Sequence, residues 1–109
     1  MKKENKYQSG LINRIHNKFP GSIVLKNDAG YISGIPDLLV LYEDHWAALE
    51  CKRETKAHKQ PLQDFYISKM NRMSFARFIN PENEQEVLDE MEQTFAPKRS
   101  TLLSKRKPA

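Results

Sequence analysis

The chain reads as an α/β fold, a mixed four-stranded sheet flanked by helices in the order α-β-β-β-α-β-α. Three observations predict it. Tyr7, Leu11, Ile15 and Phe19 recur every four residues, with Ile12 beside them, and mark the apolar stripe of a helix. Two short aliphatic runs, 38–42 and 46–49, flank the polar Glu43-Asp44-His45 and mark a hairpin. A helical stretch over 62–73 then leads into the alternation of 74–79, a crossover to a fourth strand that should run parallel to the third.

The elements follow in order. Helix one spans 4–19 and stops at Pro20-Gly21. Residues 22–26 form a first strand, Asn27-Asp28-Ala29-Gly30 a turn, and 31–36 a loop into the hairpin. A polar, basic connection covers 53–60. Pro61 suits the first position of helix two, whose apolar residues include Phe65, Tyr66, Ile67 and Met70. Helix three covers 81–95 and is acidic, with Val87, Leu88, Met91 and Phe95 as its buried positions. Residues 1–96 are thus expected to make one domain, and 97–109 a basic, flexible tail.

Composition narrows the function classes. Of 109 residues, 39% are apolar and 29% charged, which fits a soluble protein with a charged surface. No apolar run approaches the ~20 residues of a membrane span, and the start leads into an amphipathic helix, so neither membrane insertion nor secretion is expected. A single cysteine, Cys51, cannot form an internal disulfide and agrees with a cytoplasmic setting; it reads as a small buried apolar residue. The net charge of +4 is uneven. Residues 97–109 hold five basic groups and no acid, residues 52–77 hold seven against two acids, and residues 82–92 hold six acids and no base. That separation suggests one side that meets a polyanion.

The chemistry gathers at the ends of the hairpin strands. Asp37 follows Gly34-Ile35-Pro36 at the start of one strand, and Glu50-Cys51-Lys52 closes the other. Alternation puts Glu50 and Lys52 on one face and Cys51 on the other. Burying two carboxylates and an ammonium there costs roughly several kcal/mol unless something compensates, and a divalent cation between the carboxylates would do so. Glu4 precedes Leu11 by seven residues and Ile15 by eleven, which places it on the apolar stripe and makes it a candidate third acid. Each group also has a plainer reading: Asp37 as a turn residue after proline, Glu50 and Lys52 as a surface pair, Glu4 as a first-turn acid favoured by the helix dipole. The histidines offer no competing site. His16, His45 and His58 lack metal-ligand spacing to one another.

Gly-Ile-Pro-Asp, a hairpin, then Glu-x-Lys, behind a helix with an early glutamate, resembles the PD-(D/E)xK nuclease superfamily, and within it the small VRR-NUC type, many of which are viral. The likeness runs from about residue 4 to residue 79 and includes Pro61-Leu62-Gln63 at the opening of helix two. It implies a restriction-endonuclease-like α-β-β-β-α-β core with an added C-terminal helix. It further implies that Asp37 and Glu50 ligate Mg²⁺, with Mn²⁺ able to substitute, and that the Cys51 main-chain carbonyl and Glu4 complete the site. Lys52 would position the attacking water and offset negative charge, Gln63 would orient groups at the edge, and Ser33 and Gly34 would let the DNA backbone approach. Lys26, Arg53, Lys56, His58, Lys59, Lys69 and Arg72 are candidate phosphate contacts.

The expected activity is therefore Mg²⁺-dependent hydrolysis of DNA phosphodiester bonds, selective for branched structures such as Holliday junctions, by a homodimer in the cytoplasm (a host's, if the chain is viral). The alternatives are a phage nicking, flap or end-processing nuclease, and a non-catalytic DNA-binding protein of the same fold.

Overall fold

A computed structural model describes residues 3–96, with side chains from residue 6. The four-residue apolar repeat folds into α1 (Lys3–Lys18), in which Leu11 and Ile15 are fully buried and Phe19 just beyond it nearly so. Each such side chain contributes roughly 1.5–3 kcal/mol by leaving water. Pro20 has no N–H to extend the helix, and Gly21 at φ 88° swings the chain toward β1 (Ile23–Lys26). β2 (Leu38–Tyr42) and β3 (His45–Cys51) are joined by Glu43-Asp44, with Glu43 in the left-handed region at φ 55°. α2 (Pro61–Met73), β4 (Ala76–Ile79) and α3 (Glu84–Phe95) complete the expected order.

The sheet runs β1-β2-β3-β4. β1 and β3 flank β2 antiparallel, and β4 joins β3 in parallel, so the expected crossover is present. Alternation along β3 divides the two faces. Ala47, Leu49 and Cys51 point into the larger core, which α1 and α3 cover. Ala48 lies on the thinner face beneath α2, where Ile67 packs on Ala48 and Ala76. The expected buried positions of α3 are all buried, as is Cys51. α2 is less embedded than its apolar residues suggest: Leu62, Phe65 and Met73 are exposed and only Ile67 is buried.

The acids of α3 are largely neutralised within the fold. Glu84 accepts from Tyr7 and Arg14 of α1, Asp89 and Glu92 pair with Lys18, and Glu90 pairs with Arg77. Among the described residues, Arg53, Lys56, Lys69 and Arg72 make no ion pair. The charge separation read from the sequence thus has a structural form, with α1 and α3 exchanging charges on one face and α2 carrying bases on the other.

Two boundaries move for identifiable reasons. The fourth strand begins at Ala76 because Ser74 still serves α2: its N–H donates to the Met70 carbonyl, and its hydroxyl donates to the Trp46 carbonyl. Helix three starts at Glu84, not 81, because Asn80 and Asn83 build a turn first. Asn80 Oδ1 accepts from the N–H groups of Glu82 and Asn83 at 2.7 and 3.0 Å, and Asn83 Oδ1 accepts from Asn80 N–H at 2.8 Å. Asn80 is 2% exposed and its Nδ2 also donates to Thr55 Oγ1. Replacing it leaves the part-buried N–H groups of Glu82 and Asn83 without this acceptor, so Asn80→Ala should cost about 1–3 kcal/mol in urea unfolding, with an unchanged m-value.

Candidate active site

Five of the expected site residues, Asp37, Glu50, Cys51, Lys52 and Gln63, meet at one end of the sheet. Leu38 pairs with Leu49, so one step further Asp37 stands opposite Glu50, on the face that α2 covers. Asp37 is half-buried and Glu50 is 4% exposed. Asp37 Oδ2 accepts from the Cys51 N–H at 2.9 Å, and its main-chain carbonyl accepts from Asn27 N–H at 2.8 Å. The residue is therefore held by strands on both sides. Backbone polarity alternates with the side chains: Ala48 and Lys52 N–H groups bond toward β4, and Cys51 N–H points toward β2. In an extended strand a residue's C=O points to the same side as its N–H, so the Cys51 carbonyl also faces the Asp37 side.

Lys52 and Gln63 complete the cluster. Lys52 is 9% exposed, with its Nζ 3.8 Å from Glu50 Oε2. Gln63, in the first turn of α2, spans the pair: its Oε1 accepts from Lys52 Nζ at 2.8 Å and its Nε2 donates to Glu50 Oε2 at 3.1 Å. The ammonium must meet the oxygen and the carboxylate the amide nitrogen, so the orientation of this side chain is set by its neighbours. Oε1 also takes the Gln60 N–H at 3.0 Å, the backward reach of a capping box. One glutamine thereby starts a helix and orders the two charged groups beneath it.

The electrostatics are unbalanced. Burial, then the facing Asp37 charge, push the Glu50 carboxyl from its ordinary 4.5 up to about 8; Lys52 pulls the other way without cancelling them. Two acceptor-rich carboxylates against one ammonium is a donor set short of positive charge. Hard oxygen ligands of this kind suit Mg²⁺ or Mn²⁺.

The remaining expected residues are spread around this centre. Residue 4 lies in the first turn of α1, and its side chain, like the tail at 97–109, lies outside the described residues. α1 packs on the face opposite Glu50 and Lys52. Ser33 and Gly34 line a cleft of about 490 Å³ with Gln60, Pro61, Leu62 and Gln63. The close approach that Gly34 allows is to α2: at φ 88°, a Cβ there would stand 2.4 Å from Leu62 Cβ and 2.8 Å from its carbonyl carbon. Arg53, Lys56, His58 and Lys59 are exposed on the connection after Lys52, with Lys59 Nζ 4.7 Å over the Phe78 ring. Lys69 and Arg72 are exposed further along α2, about 9 and 13.5 Å of helix rise beyond Gln63. Lys26 pairs with Leu38 and so shares the α1/α3 face at the sheet edge, apart from Glu50 and Lys52.

The Gln63 bridge between Lys52 and Glu50 had no spacing signal strong enough to read. The tether from Asn27 to Asp37 had one: an Asn-Asp turn directly after a strand. Comparison with protein-family models, curated proteins and solved structures finds no match for this chain.

Two outcomes follow for stability. Gly34→Ala should lower stability by about 1–3 kcal/mol, measured by thermal unfolding, because it adds strain at positive φ and a clash with Leu62. Glu50 binds its proton more tightly folded than unfolded, so between pH 4.5 and about 8 the folded state holds more protons and loses stability as pH rises. In EDTA, Glu50→Gln should match the unmodified chain near pH 4.5 and melt above it by pH 8.5. Parallel melting curves across that range would contradict a buried, strained carboxyl.

Proposed function

We propose that this chain is a Mg²⁺-dependent endonuclease of the PD-(D/E)xK type, restriction-endonuclease-like in its core, which hydrolyses DNA phosphodiester bonds and favours branched substrates. The observation that carries the reading is half-buried Asp37 facing buried Glu50 across the hairpin, with the Lys52 ammonium beside them. A protein gains no stability from opposing two carboxylates at a sheet margin, so the arrangement points to a ligand that needs both.

Asp37, Glu50 and the Cys51 carbonyl would hold the cation. When bound, it supplies water activation and charge neutralisation at the phosphate. Lys52 presents its ammonium beside the same carboxylates, placed to donate to a phosphate oxygen as negative charge develops. Gln63 keeps that ammonium in position and away from full pairing with Glu50, since its own oxygen is the nearer acceptor. The α2 wall and the loop at Ser33-Gly34 narrow the approach to a cleft. The exposed bases of the 53–60 connection and of α2 supply a field for the phosphate backbone.

Branched substrates, a pairing of two copies and a cytoplasmic location belong to the same reading. Leu39, Leu41, Trp46, Met70 and Met73 line an apolar cleft of about 350 Å³ that α2 leaves uncovered, which supports a partner surface. Among the described residues no helix is long and apolar enough to cross a membrane.

Incubating the purified chain with labelled four-way junction, fork, single strand and duplex tests the proposal. Cleavage is expected with Mg²⁺ and not with EDTA. Asp37→Asn, Glu50→Gln and Lys52→Ala should each lower the rate by about 10²-fold or more while DNA binding persists. Tight binding without metal-dependent cleavage of any substrate would instead favour a DNA-binding protein of the same fold.

A further inference from the structure

The loop between β1 and β2 does more than close a wall of the cleft. It is braced internally by Asp28, whose Oδ1 accepts from Gly30 N–H and whose carbonyl accepts from the N–H groups of Tyr31 and Ile32. It is also tied at its base, where Asn27 N–H donates to the Asp37 carbonyl and Asn27 Nδ2 to the Pro36 carbonyl. The base of the loop is therefore anchored at Asp37. On its crest stands Tyr31, 85% exposed, more than any other large apolar or aromatic residue among those described.

A second hollow, of about 360 Å³, lies on the outer side of the loop, lined by Asn27, Asp28, Tyr31, Ile32 and Ile35. Its size falls within the usual range for small-ligand sites. Ser33 lines the inner cleft and Tyr31 the outer one. One residue, Ile32, lies between them, so their Cα atoms are at most about 7 Å apart. One loop thus borders both the cleft against α2 and a hollow whose aromatic and aliphatic side chains stand beside Asn27 and Asp28, and that hollow adjoins Asp37 through Asn27, whose N–H donates to the Asp37 carbonyl at 2.8 Å.

We infer that the outer hollow receives an unstacked nucleobase next to the phosphate held at Asp37, Glu50 and Lys52, with Tyr31 as its stacking surface. The inference rests on the proposed nuclease reading and makes its substrate class narrower: DNA with an unpaired nucleotide at the point of cutting. In a continuous duplex the base faces are covered by their neighbours, and Tyr31 finds nothing to stack on. At a fork or junction, an open base face is available. Sequence-tolerant stacking of this kind selects structure without reading bases.

The test uses a fork with 2-aminopurine at the unpaired nucleotide beside the branch, against a blunt duplex of the same sequence. Both are bound to the full chain carrying Glu50→Gln, alone and combined with Tyr31→Ala or Tyr31→Phe. The Glu50→Gln chain should bind the fork about tenfold tighter than the duplex, the size of one base–aromatic stack, and quench the probe. Adding Tyr31→Ala should abolish both effects and leave duplex affinity unchanged, and Tyr31→Phe should restore them. Equal affinity for fork and duplex, or a Tyr31→Ala chain that keeps the preference and the quenching, overturns the inference. The two readings fail separately. Mg²⁺-dependent cutting that ignores Tyr31 removes the stacking role alone, and Tyr31-dependent fork binding without cutting by the unmodified chain removes the nuclease activity alone.

Discussion

Leu38 against Leu49 is the match on which the rest of this molecule depends. It is made by two aliphatic side chains in the larger core, and its consequence appears one residue further out, where Asp37 meets Glu50. A slip of one residue would send Glu50 and Lys52 together into the α1/α3 core, out of reach of Gln63. The short Glu43-Asp44 turn and the buried run of β3 hold that register. Apolar packing, which has no direction of its own, thereby positions two carboxylates that would repel each other in isolation.

α2 has an unequal division of labour. Its packing contribution is small, with Ile67 alone buried, and its polar contribution is concentrated in the first turn. Gln63 satisfies the helix start and the charged pair together. Gly34 lets the loop before β2 close against the same turn. Three segments distant in sequence are thus brought to one recess by a glutamine and a missing side chain. The core on the opposite face carries most of the burial and leaves this thinner layer available for a ligand.

Much of this was legible in the sequence, for physical reasons that differ by element. The stripe from Tyr7 to Phe19 and the buried positions of α3 were readable because helical periodicity repeats several times over. The hairpin was readable because its apolar runs are bounded by polar residues, and its strand ends placed Asp37, Glu50 and Lys52 at one margin. The start of α3 was not, because Asn80 and Asn83 satisfy backbone groups through side chains and delay the helix by three residues. The exposure of Phe65 was hidden as well, since an aromatic residue in a helix reads as core unless the extent of the covered sheet is known. Lys26 shows the same limit: its charge was plain, but the face it occupies is set by strand pairing.

The amide of Cys51 gives its hydrogen to a side-chain carboxylate where the antiparallel ladder would otherwise offer a carbonyl. The end of the hairpin is consequently an electrical contact as much as a mechanical one. Its proton resonance and its exchange with deuterium should follow the charge on the neighbouring acid, so this single backbone position can act as an internal gauge of what occupies the recess.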